Sequence, residues 1–123
     1  MNYYQELSLV YTDIGQRLRH IGMTFKNTTS MHLAYDAVIH QAQQAAYNAE
    51  RACVELSRLL PGQYVDIQLH RQIIKAIILC NHRANSIETA FAYICGVRDQ
   101  LVREVFRLNG ELNQQREYRA MAA

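Results

Sequence analysis

Apolar side chains recur in alternating steps of three and four along most of this chain, and no other property limits its fold so tightly. In the first segment the series is Tyr4, Leu7, Tyr11, Ile14, Leu18, Ile21 and Phe25. Such steps follow the turn of an α-helix, so one stripe of the helix is apolar and faces a neighbour. The spacing predicts a helix from about Asn2 to Lys26. Asp13 and Arg17 lie four apart on its outer side and can pair there.

A second helix is expected from about Met31 to Leu60. Its seam is Tyr35, Val38, Ala42, Ala45, Ala49, Ala52, Leu56 and Leu59, with a second row, Ile39, Ala46, Cys53 and Leu60, beside it. Two adjacent rows make a stripe wide enough to touch two neighbours. The middle of the seam is alanine, which buries little area, so partners must come close to gain contact. Asn27-Thr28-Thr29-Ser30 reads as a turn in which Ser30 caps the second helix. Pro61-Gly62 ends that helix, because proline disfavours helix at the residue before it and glycine accepts a left-handed cap.

From Gln63 onward one row continues without losing phase: Ile73, Ile77, Cys80, Ala84, Ile87, Phe91, Ile94, Arg98, Leu101, Val105 and Leu108. As a single helix this span would reach roughly 70 Å, far longer than the first two. Asn81 to Ser86 is rich in capping residues, and Asn85 with Glu88 resembles a capping box. The expectation is therefore a break here and four helices in an antiparallel bundle. The alternative is three helices with a long third one whose bare seam would force oligomerisation. Leu108-Asn109-Gly110 reads as a helix stop. That divides the chain into a bundle domain over 1–110 and a polar tail over 111–123, frayed or weakly helical.

Composition supports the all-α class. One proline and five glycines in 123 residues are too few for the frequent turns of an all-β fold. The three cysteines, Cys53, Cys80 and Cys95, are odd in number and sit among apolar neighbours, as free buried thiols do. The N-terminus lacks the pattern of a signal peptide, and no apolar run approaches a membrane span. A cytoplasmic protein with no membrane partner is expected.

Few constellations could carry chemistry. His32, Asp36 and His40 lie one helical turn apart on the second helix, and antiparallel hairpins would bring His82 and His20 towards them. A metal could be held by such a group. Relative to the seam these residues point outward or sideways, whereas bundle metal sites are built from inward side chains. His32, Asp36, His40 and His82 are thus weak metal candidates only, and no metal is assigned. Asp66 and His70 could orient one another as a base pair, but no nucleophile motif accompanies them. No glutamate is followed by histidine three residues later, and phosphate loops and paired CxxC motifs are absent. No enzyme and no cofactor is expected.

Arginine outnumbers lysine by 11 to 2. Arg98, Arg103, Arg107, Arg116 and Arg119 make the last segment the most basic and could track a phosphate backbone. Asp99, Glu104, Glu111 and Glu117 are interleaved with them and can neutralise them. Arg98, alone among apolar residues in its row, must either find a carboxylate in the seam or meet water at its edge. The sequence thus reads as a non-enzymatic helical interaction protein (adaptor, chaperone or assembly subunit) that self-associates and binds a protein partner. Its expected seam is Ala42, Ala45, Ala49, Ala52, Phe91, Ile94, Arg98, Leu101, Val105 and Leu108. The alternative is a nucleic-acid-binding protein using the five arginines.

Overall fold

The computed structural model describes residues 3–22, 30–60, 71–77 and 87–122. Four helices account for nearly all of them: α1 (Tyr3–Gly22), α2 (Ser30–Leu59), α3 (residues 71–77) and α4 (Ile87–Ala122). The fold is an all-α bundle, as the periodicity requires. The expected turns at 27–29 and Pro61-Gly62 and the break at 81–86 lie outside the described residues. The second helix begins and ends within one residue of its sequence-based limits.

Three contacts fix the direction of α4. Arg98 donates to Gln41, Arg116 to Glu55 and Arg119 to the Leu59 carbonyl, so partners rise together and α4 runs parallel to α2. Tyr4 meets Glu111 and Tyr11 meets Glu104, so α1 runs opposite to α4 and hence to α2.

The helix in the middle is α2, which packs closely against α1 and α4. Its alanine seam explains how one helix serves two neighbours. Ala42, Ala45, Ala46, Ala49 and Ala52 are all buried, and a methyl group holds a neighbouring helix at the short end of the usual interaxial range. At one such point an added Cβ on Gly15 of α1 would lie 3.9 Å from the Ala46 Cβ. Larger side chains fill the rest of the core. Leu7, Ile14 and Leu18 come from α1, Leu56 from α2, Ile73 and Ile77 from α3, and Ile94, Leu101 and Leu108 from α4.

Among the described residues no Cα of α1 comes within 8 Å of one in α4. Tyr4 and Tyr11, both fully buried, reach across that wider gap with their hydroxyls.

Two features of α4 differ from the sequence reading. The stop expected at Leu108-Asn109-Gly110 is absent, and the helix runs on to Ala122. A helical glycine costs about 1 kcal/mol relative to alanine. Burial of Leu108 and Leu112 on either side, with the Arg116–Glu55 ion pair beyond, offsets that cost. The buried face is also rotated from the expected row. Ala90, Val97 and Glu104 are buried, while Phe91, Arg98 and Val105 are only half-buried at its margin. The reason is that α4 must face α1 as well as α2, which moves the centre of its stripe towards the tyrosines.

Replacing Ala49 by leucine should push α2 away from a neighbour and lower stability by about 1–3 kcal/mol. Urea unfolding followed by circular dichroism measures this. A variant as stable as the parent would mean that the alanine seam does not set the helix spacing.

Candidate functional site

The ten residues of the expected seam are taken up by the chain itself. Ala42, Ala45, Ala49, Ala52, Ile94, Leu101 and Leu108 are in the core, and Phe91, Arg98 and Val105 line its edge. Arg98 is half-buried and is held by Asp99 and Gln41, so the edge position is the one it occupies.

Among the described residues the buried charge is Glu104, only 6% exposed. Its Oε2 accepts from the Tyr11 hydroxyl at 3.0 Å and from Arg107 Nη2 at 2.7 Å. Tyr4 donates to Glu111, which also lies 3.8 Å from Arg107. A buried carboxylate is tolerated only when paired and hydrogen-bonded in this way. Burial, with Glu104 adding to it, raises the pKa of Tyr11, and burial with the Glu111 hydrogen bond raises that of Tyr4. Burial is the largest influence on Arg107 and would lower its pKa, but the hydrogen bond and charge of Glu104, with Tyr3 and Tyr11, together raise it and keep the guanidinium charged. Burial also pushes the Cys53 thiol up to about 12, so it stays protonated and unreactive near neutral pH. The cluster thus offers no activated nucleophile, and its donors and acceptors serve each other.

Sequence reasoning passed over Glu104 as a neutraliser of arginines. The signal was present: Val97, Leu101, Glu104 and Leu108 step by four, three and four.

Asp36 and His40 are exposed on α2, as their phase predicted. His82, Asp66, His70 and the His32 side chain lie outside the described residues. Among the described residues no three histidine, cysteine, aspartate or glutamate side chains are grouped to hold a metal.

The arginines of α4 are largely occupied. Arg107 pairs with Glu104 and Glu111, Arg116 bridges both oxygens of Glu55, and Arg119 caps the Leu59 carbonyl. Arg103 is exposed and makes no ion pair among the described residues. Bases engaged in this way are poorly placed to release counterions from a nucleic acid.

The outer margin between α2 and α4 is open. A groove of about 360 Å³ runs there, with His40, Gln41, Gln44 and Ala45 on one wall and Val102, Val105 and Phe106 on the other. Phe106 is 75% exposed and Val102 38%. Further along the same margin the lining turns polar, with Arg51, Glu55, Arg58, Asn109 and Arg116 around about 550 Å³. An apolar stretch with polar residues along its rim has the composition of an interaction surface. No helix among the described residues is long and apolar enough to cross a membrane. Comparison with family models, curated proteins and solved structures finds no match to this chain.

Two outcomes test the buried cluster. Iodoacetamide applied to the native protein near neutral pH should leave Cys53 unlabelled in peptide mass maps, with labelling only after unfolding. Rapid native labelling would contradict its burial. Above the ordinary tyrosine pKa of 10.0, the unfolded chain ionises Tyr4 and Tyr11 while the folded chain resists. Their contribution to stability is therefore complete below about pH 10 and declines as pH rises further. Tyrosinate absorbance and circular dichroism should show at least two tyrosines, Tyr4 and Tyr11 among them, that titrate only as helix is lost.

Proposed function

We propose that this chain is a non-enzymatic helical interaction protein, of the adaptor, chaperone or assembly-subunit kind, that self-associates and holds a protein partner. The observation that supports it best is Phe106, a large apolar side chain left 75% exposed on a well-packed bundle. It stands beside Val102 and the apolar groove rather than alone. A scattered surface phenylalanine is ordinary, but one set in an apolar groove with polar flanks gains from being covered. The core seams already serve the chain's own packing, so the surface for a partner is assigned to this margin. The buried Glu104 cluster is read as structural, since its groups are consumed by one another.

The five-arginine reading has less to recommend it, because three of those side chains are bound within the fold and Arg98 is held at its edge.

A photo-crosslinking phenylalanine analogue at position 106, introduced in cells, is the direct test. Discrete protein adducts that do not form from the same analogue at exposed Glu6 of α1 are expected. Absence of position-specific adducts would remove the reading, and nuclease-sensitive adducts would replace it with the nucleic-acid alternative.

A further inference from the structure

The outward face of α4 repeats the pattern of the buried seams. Ala92, Gly96, Asp99, Arg103, Phe106 and Gly110 step by four, three, four, three and four, and all six are exposed. They form one straight stripe, about 27 Å long at 1.5 Å per residue, on the side turned away from the core. Glycine within a helix costs about 1 kcal/mol relative to alanine. The fold gives no packing reason for either glycine, since nothing lies within 4 Å of where a Cβ would stand at Gly96 or Gly110. A large apolar knob, two shallow holes and one charge of each sign therefore share a stripe with helix-packing spacing.

We propose that this stripe binds a second copy of the chain, with the two α4 helices antiparallel about a two-fold axis at the level of Leu101. The proposal rests on the interaction-protein reading above and names the first partner. In this arrangement Phe106 of one protomer lies over Gly96 of the other, where the missing side chain leaves room for a ring. Arg103 faces Asp99, and Gly110 faces Ala92. Symmetry makes every pair twice, as an isologous contact requires.

Charge selects the register. A parallel, in-register pair would set Asp99 on Asp99 and Arg103 on Arg103. Antiparallel pairs centred on position 99 or 103 would each place one of these residues against itself. Only the pair centred on position 101 places opposite charges face to face at both sites and the phenylalanine over the glycine. Asp99 already meets Arg98 within its own chain, and Arg103 makes no ion pair among the described residues, so the guanidinium is available. Such solvent-exposed charges, set on either side of the axis, contribute more to orientation than to affinity. The stripe is smaller than a standard interface, so the dimer exchanges with monomer and its population depends on concentration.

Sedimentation equilibrium on the full chain over a concentration series tests the proposal. The parent should double its mass as concentration rises. Arg103→Asp and Gly96→Leu, both at exposed positions, should each weaken association about tenfold or more with circular dichroism unchanged. The double variant Asp99→Arg/Arg103→Asp, which exchanges the two charges, should restore it. A parent that stays one chain up to about 1 mM overturns the proposal. So does association that the single variants leave unchanged, or that the charge exchange fails to restore. If position 106 still crosslinks a different polypeptide in any of these cases, the interaction reading survives without this dimer. If it crosslinks nothing, both fall together.

Discussion

The close approach of α2 to two neighbours at once governs the rest of this molecule. Alanine at positions 42, 45, 46, 49 and 52 makes it possible, because a methyl group is the smallest side chain that still excludes water from a helix contact. Close packing gains dispersion contact without large side chains, and it leaves little tolerance for added volume. The larger residues collect towards the two ends, with Tyr35 and Val38 at one and Leu56 at the other.

A consequence appears on the opposite side of the bundle. With α1 and α4 both drawn to α2, the described residues of the two helices make no close backbone contact, and long side chains bridge them. Tyrosine suits that role, since its ring is apolar and its hydroxyl can reach a partner. Tyr4 and Tyr11 end on Glu111 and Glu104, and Arg107 balances the charge. The same groups lock α1 to α4 in one register, because a shift of either helix would leave a buried carboxylate or hydroxyl unpaired. Polar pairs thus specify an arrangement that the apolar residues alone would leave loose.

The outer side of α4 follows a different logic. Its inner face is satisfied by α1 and α2, while the outer face keeps an exposed phenylalanine and two unfilled glycines. These features carry a cost in an isolated bundle. They are explained if the face is covered, and the distribution of Asp99 and Arg103 fits a copy of itself better than it fits a parallel neighbour.

The all-helical class and the buried faces of α1 and α2 were legible in the residue pattern alone. The alternating steps of three and four marked Tyr4, Leu7, Tyr11, Ile14 and Leu18, and the whole of Tyr35 to Leu56, because a helix has a fixed repeat and one stripe must leave water. The pattern also placed Asp36 and His40 outside the core. The orientation and length of α4 came from packing between helices. Periodicity gives the direction of a stripe to within a residue position or so, and α4, with apolar residues on several flanks, could have faced its neighbours by Arg98 or by Glu104. The position of α1 settled that choice, since the tyrosines needed acceptors. The same packing carried α4 past Gly110, where local propensity favoured a stop, and left Phe106 outside where apolar character alone would have put it in. Local repeat is written residue by residue, but which apolar surface is buried depends on what arrives to cover it.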